Sequence, residues 1–206
     1  MQGMDAVIVN GNTGNLYSVY NALSFLGYQV KITQNADEIL SSRRVVMPGV
    51  GAFAAFMQGL QQTGLQEAVL GVIKKQIPIL GICVGMQVLL DQGEENGLHP
   101  GLGILPGTVK RFPDSKTLTI PQTGWNTFQI EDETDPLFRG LPQQSYVYFN
   151  HAYYCAPDSS QDISATTEYG IKYASAVRRE NVVGVQFHPE KSHKVGLKLL
   201  SNFMSM

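Results

Sequence analysis

Pro78-Ile79-Leu80-Gly81-Ile82-Cys83-Val84-Gly85-Met86-Gln87 carries an apolar, strand-like run into the start of a helical pattern. A cysteine between Gly81 and Gly85 at such a junction sits on a tight turn, because glycines remove the Cβ atoms that would crowd it. The sulfur is then exposed at a helix N-terminus, where free N–H groups favour thiolate over thiol. Far downstream, Gly184-Val185-Gln186-Phe187-His188-Pro189-Glu190 is a second apolar strand, ending in a histidine with a carboxylate two residues on. Histidine can take a thiol proton and later protonate a leaving amine, while a carboxylate orients the ring. A strand cysteine by itself is most often a small buried hydrophobe, and a lone His-Pro-Glu can be a turn. Both motifs at strand ends, with glycines around the cysteine, are read as a Cys83-His188-Glu190 hydrolytic site.

Outward from these segments, the first half of the chain alternates strand and helix signals. Ala6–Val9 is a short apolar strand, and Leu16, Val19, Tyr20, Leu23 and Leu26 follow at helical spacing with Gly27 as C-cap. Residues 28–33 alternate like a strand. Val45–Met47 is another, stopped by Pro48-Gly49, and Leu65, Ala68, Val69, Val72 and Ile73 form a helical stretch before the strand to Cys83. Val84, Val88 and Leu89 start the helix after it. Repeated strand-helix-strand units predict an α/β fold with a mostly parallel central sheet and helices on both faces. From about Gly103 to Gln186 the pattern changes to short strands such as 108–112, 145–149 and 174–177, which predict an antiparallel or mixed β extension. A closing helix carries Val195, Leu199, Leu200 and Phe203 on one stripe.

The 206 residues are expected to form a single domain, 1–206, with a core large enough to fold unaided. A net charge of −2 without a basic tract gives no reason to expect nucleic acid or an anionic membrane as partner. No apolar run approaches the ~20 residues of a membrane span. The first residues do not read as a secretory leader. Cys83 and Cys155 could pair, but Cys83 has a better use as a thiol, so a reducing cytoplasm is the expected compartment. Neither a metal nor a cofactor is called for.

Further segments carry a resemblance: Gly14-Asn15-Leu16-Tyr17-Ser18-Val19, Met47-Pro48-Gly49-Val50-Gly51-Ala52-Phe53, Gly124-Trp125-Asn126, His151-Ala152-Tyr153-Tyr154 and Gln186–Ser192. With the cysteine motif they span nearly the whole chain, which resembles the class I (triad-type) glutamine amidotransferases. Within them it is most similar to the glutaminase subunits of imidazole glycerol phosphate synthase. The resemblance implies that Cys83 attacks the side-chain amide of L-glutamine, with His188 as proton shuttle and Glu190 as its orienting group. Oxyanion donors are expected from Val84 and from the Val50-Gly51 loop. Substrate contacts are expected from Gly51, Gln87, Glu95 and the backbone of His151, Ala152 and Tyr153; Gln87, four residues after Cys83, shares its helix face. For Glu95 a merely solvated role competes, since Glu94 is beside it.

The implied partner is a cyclase subunit of the (β/α)8-barrel type in a heterodimer of histidine biosynthesis, receiving ammonia from Cys83. Asn12, Asn15, Gln122, Thr123 and Trp125 fall in the segments expected on the partner surface, although Trp125, the only tryptophan, could equally be core. Asn10–Asn15 keeps only the last Gly-Asn of the subunit's usual Asp-Tyr-Gly-x-Gly-Asn, while Thr123 replaces a Met and Ala152 a Ser. These departures leave a sugar-modifying synthase as the alternative recipient of ammonia.

Overall fold

The computed structural model describes residues 4–12 and 14–206. Its elements run β1 (Ala6–Val9), α1 (Leu16–Phe25), β2 (Val30–Thr33), α2 (Ala36–Leu40), β3 (Val45–Gly49), α3 (Phe53–Gln62), α4 (Leu65–Lys74), β4 (Ile79–Cys83) and α5 (Val84–Gln87). The second half adds β5 (Leu90–Gly93), β6 (His99–Pro100), β7 (Leu105–Arg111), β8 (Gln122–Thr127), β9 (Gln129–Ile130), β10 (Tyr146–His151), β11 (Tyr153–Pro157), β12 (Ile163–Glu168), β13 (Lys172–Arg179), β14 (Val182–Val185) and α6 (His193–Phe203).

The main sheet has the order β2-β1-β3-β4-β14-β13-β11-β7-β5-β6. Its first five strands are parallel, as their two-sided apolar runs predict. From β14 onward the pairing with β13, β11 and β7 is antiparallel, which is the expected extension. The antiparallel pair β8–β10 forms a separate ribbon. The β1-to-β2 crossover runs one way across the sheet and the β3-to-β4 crossover the other. Right-handed connections therefore place α1 on one face and α3 and α4 on the opposite one. The packing agrees, since α1 lies against α6 while α4 lies against α2 and α3. The apolar side chains of β1, β3, β4 and β14 are fully buried between these layers.

Three local expectations change. Strand β3 does not stop at Met47, because Pro48 and Gly49 continue in register with Ile82 and Cys83. By then β1 has ended, and a segment with one neighbour tolerates a proline that cannot donate. The helix after Cys83 is a single turn, and the chain bends into β5. The carbonyls of Val88 and Leu89 are taken by the N–H groups of Leu102, Ile104 and Leu105, so these tertiary bonds replace a helical ladder. Finally, α2 and α3 lie outside the sequence expectation, although Phe53, Phe56, Met57 and Leu60 of α3 are buried at helical spacing.

The turn at Cys83 has the anticipated glycine dependence. Cys83 itself holds φ 56° and ψ −111°, a costly conformation for a residue with a side chain. A Cβ on Gly85 would lie 1.9 Å from the Met47 carbonyl oxygen, and one on Gly81 would lie 2.4 Å from that of Gly85. Gly85→Ala should therefore cost about 3 kcal/mol or prevent folding. Gly27→Ala, in open space after α1 but at φ +88°, should cost about 1 kcal/mol. Urea unfolding of both variants tests the difference; a loss at Gly85 no larger than at Gly27 would mean that the contact with the Met47 carbonyl is relieved by a small backbone shift.

Candidate active site

The parallel strands β3, β4 and β14 end at one edge of the sheet, where open α/β sheets form their clefts. Each strand delivers one part of the site. The end of β3 gives the loop Pro48–Gly51, β4 gives Cys83, and the residues after β14 give His188. Neighbouring registry of β4 and β14, with Ile82 opposite Val185, brings together two residues 105 positions apart in the chain. A cavity of about 240 Å³ lies over them, lined by Val50, Gly51, Cys83, Val84, Gln87 and Glu95. Its far wall is Pro121, Asn150, His151, Ala152 and Tyr153, closed by His188 and Lys191.

His188 is almost wholly buried, and its Nδ1 lies 2.9 Å from Glu190 Oε1. Glu190 therefore accepts from Nδ1 and leaves Nε2 for the sulfur side. Burial alone would lower the imidazole pKa, but hydrogen bonding and charge from Cys83 and Glu190 outweigh it and raise it to about 9. The ring's backbone is pinned as well. Its N–H donates to Tyr148 O at 2.9 Å, and Ser192 Oγ donates to its carbonyl at 2.6 Å. Ser192 Oγ in turn accepts from Tyr148 N–H at 3.0 Å, which locks the ribbon strand β10 to the histidine turn.

The expected ligand groups line the same cavity. Gly51, at φ +94°, lets the loop after β3 turn toward the sulfur, with Val50 and Val84 beside it. Glu95 is half-buried, and its Oε2 accepts from Phe53 N–H at 2.7 Å, so it is tied to the start of α3 while exposed Glu94 is the solvated member of the pair. Gln87 Nε2 donates to Tyr153 O at 3.0 Å and to Gln186 Oε1 at 3.1 Å. His151 is buried and its Nδ1 donates to the same carbonyl at 2.7 Å. Two side chains thus use both lone pairs of Tyr153 O, leaving other backbone groups of 151–153 to face a ligand. Burial lowers the His151 pKa to about 4, so its ring is neutral.

The residues expected on the partner surface separate. Asn12, Asn15 and Thr123 are exposed. Trp125 is 46% exposed rather than core, and its indole stacks on the His193 ring with centroids 4.9 Å apart. Gln122 is the exception at 3% exposed, and it accepts from Tyr173 Oη at 2.9 Å. Its strand neighbours point outward while it points in, as alternation in β8 requires. Residues the sequence reading passed over are Pro121, Asn150 and Lys191 on the cavity wall, Ser192 under the histidine, and Gln186 beside Cys83. A polar Gln186 in an otherwise apolar strand, two residues before His188, was the available signal.

A family model described as glutamine amidotransferase class-I matches residues 7–206. The chain is 47% identical over 199 residues to imidazole glycerol phosphate synthase subunit HisH of Dehalococcoides mccartyi, covering 97% of this chain and 96% of that one. It is 44% identical over 191 residues to the subunit of the same name from Acinetobacter baylyi, covering 93% of each. Among solved structures, one titled as a glutamine amidotransferase superposes with a TM-score of 0.75 at 19% identity, over 97% of both chains. PurLQS from Thermotoga maritima gives 0.75 at 15% identity, again over 97% of both. At those identities the likeness concerns the fold.

The two buried histidines predict opposite pH dependences of stability. His188 keeps its proton to about pH 9, whereas an unfolded imidazole releases it near 6.5, so its contribution is full below 6.5 and is lost as pH rises to 9. His151 stays neutral to about pH 4, so its contribution is full above 6.5 and is lost as pH falls to 4. Urea unfolding against pH should show both slopes. In Cys83→Ala the alkaline slope should shrink, since the sulfur contributes to raising His188; an unchanged slope would remove Cys83 from that role.

Proposed function

Because this chain belongs to the class I glutamine amidotransferase family, we propose that the cavity binds L-glutamine and that Cys83, His188 and Glu190 hydrolyse its side-chain amide. The observation that carries the reading is the convergence, on one small cavity, of Cys83 and His188 with Gly51, Val84, Gln87 and Glu95. The chain is the glutaminase subunit of imidazole glycerol phosphate synthase, and the relatives' names favour that role over supply to a sugar-modifying synthase.

The Cys83 sulfur attacks the amide carbon, and the carbonyl oxygen takes up negative charge. Backbone N–H groups of Val84 and the Val50-Gly51 loop donate to it. A histidine that holds its proton to about pH 9 keeps one ready for the departing nitrogen. The C–N bond breaks, ammonia leaves, and a glutamyl thioester remains. Water, deprotonated by His188, then attacks the thioester, releasing glutamate and restoring the thiolate. Glu190 keeps Nδ1 as the protonated nitrogen throughout. Cys83→Ala should abolish glutamate release, His188→Asn should be similarly inactive, and Glu190→Gln should retain more activity, all measured on L-glutamine. Undiminished turnover in Cys83→Ala would sink the assignment.

The ammonia recipient in this reading is a cyclase of the (β/α)8-barrel type, forming a heterodimer in the cytoplasm. Ammonia is protonated once it escapes into water, so the partner must cover the edge that carries Cys83. Asn15, Thr123 and Trp125 are available for that contact. Thr123 Oγ1 donates to Asn150 Oδ1 at 3.1 Å, which ties the proposed surface to the cavity wall. Gly14 lies against the Pro48 carbonyl, with a notional Cβ 3.1 Å away, so the Asn15 segment abuts the oxyanion loop. Docking there can bias the loop, and the isolated chain should be the poorer glutaminase. The comparison is turnover alone against turnover with the cyclase and its substrate; equal rates would exclude gating. Asn15→Arg should weaken the complex or uncouple hydrolysis from ammonia transfer with the fold unchanged, and wild-type transfer would place the interface elsewhere.

A further inference from the structure

Gln186 is 0% exposed, yet both ends of its amide are engaged with the machinery of the cavity. Its Oε1 lies 3.1 Å from Gln87 Nε2, and its Nε2 lies 3.7 Å from the Cys83 sulfur. The orientation of these amides follows from a single backbone group. Tyr153 O can only accept, so the Gln87 atom 3.0 Å from it must be the NH2 group. Gln87 then offers its second N–H to Gln186, which must answer with its oxygen. That leaves the Gln186 NH2 to donate to the sulfur, which can accept. The relay therefore runs from the Tyr153 carbonyl through two side chains to the nucleophile.

The relay has a consequence on the cavity side. Both N–H donors of Gln87 are consumed inside the protein, while Gln87 still lines the cavity. What it presents to a ligand is Oε1, an acceptor, suited to a donor such as a primary ammonium group. We propose that Gln186 is a positioning residue with two effects: it fixes Gln87 with its oxygen toward the substrate, and it holds the Cys83 sulfur through a donated N–H. This rests on the glutaminase reading of the cavity. An apolar residue at 186 would free the Gln87 amide from one of its two anchors and remove a donor from the sulfur. A glutamate there would keep an oxygen for Gln87 but offer the sulfur nothing.

Two variants separate these effects. Gln186→Met removes both contacts in a side chain of similar shape. Its KM for L-glutamine, measured with the cyclase present, should rise about tenfold, and alkylation of Cys83 by iodoacetamide at neutral pH should slow about tenfold. Gln186→Glu should return KM to within about threefold of wild type while alkylation stays slow. A residue that merely filled space would not produce this split. Cys83 is also buried but lines the cavity, whereas Cys155 lies in the sheet with no exposure and away from the cavity, so alkylation reports on Cys83. Circular dichroism and urea unfolding establish that each variant is folded. Wild-type KM and alkylation in folded Gln186→Met would overturn the proposal, as would a Gln186→Glu protein in which both quantities move together or neither moves. If Gln186→Met does not fold, the Gln186→Glu split decides alone. Failure of the wild-type complex to hydrolyse glutamine would instead overturn the proposed function, and the alkylation arm would still read the contact with sulfur.

Discussion

Everything at this site depends on a close approach of backbones beneath Cys83. The Gly85 Cα sits where the Met47 carbonyl leaves no space for a side chain, and Gly81 meets the Gly85 carbonyl in the same way. This contact lets β4 turn directly into α5 and holds Cys83 at φ 56°. A strained φ persists only where surrounding structure over-determines it, and here the neighbours on both sides are strands of one parallel sheet. The proposed nucleophile is thus held by the rigid centre of the fold rather than by a loop; Cys83 is buried rather than exposed as the turn predicts, because the cavity walls close around it.

Around that fixed sulfur the site divides into a rigid and an adjustable part. His188 is rigid. Its ring is fixed by Glu190, its backbone by Tyr148 and Ser192, and β14 places it beside β4. Gln87 and His151 are rigid as well, through the shared carbonyl of Tyr153. The loop after β3 is different, because Val50 is exposed and Gly51 takes a positive φ with no neighbour where a Cβ would be. A chemistry that must not waste glutamine would be well served by this division, with the proposed proton-transfer groups fixed and the proposed oxyanion loop within reach of a partner.

The electrostatics follow the same division. Two histidines flank one cavity, both buried, yet they are pushed in opposite directions. For His151 desolvation prevails, since its hydrogen-bonding partners are neutral. For His188 desolvation is overcome by hydrogen bonding and charge from Cys83 on one side and Glu190 on the other. Neutral and protonated imidazoles therefore face one cavity, and only the second is equipped to deliver a proton.

The sequence by itself determined the element types that carry strong local signals: the apolar parallel strands, the glycine-flanked cysteine turn, and the histidine and carboxylate at a strand end. It also marked Gln87 and Glu95, because helical spacing and the family likeness point to them. Only the tertiary structure decided the length of the helix after Cys83, since the Val88 and Leu89 carbonyls bond to residues 102–105 rather than along the helix. It alone separated Gln122 from Thr123 and Trp125, because strand alternation needs a known register before it says which side is buried. It alone exposed the roles of Gln186 and Ser192, whose partners lie 103 and 44 positions away in the chain. Local pattern reports which backbone conformation a segment prefers; hydrogen bonds between distant segments exist only once the sheet order has brought them together.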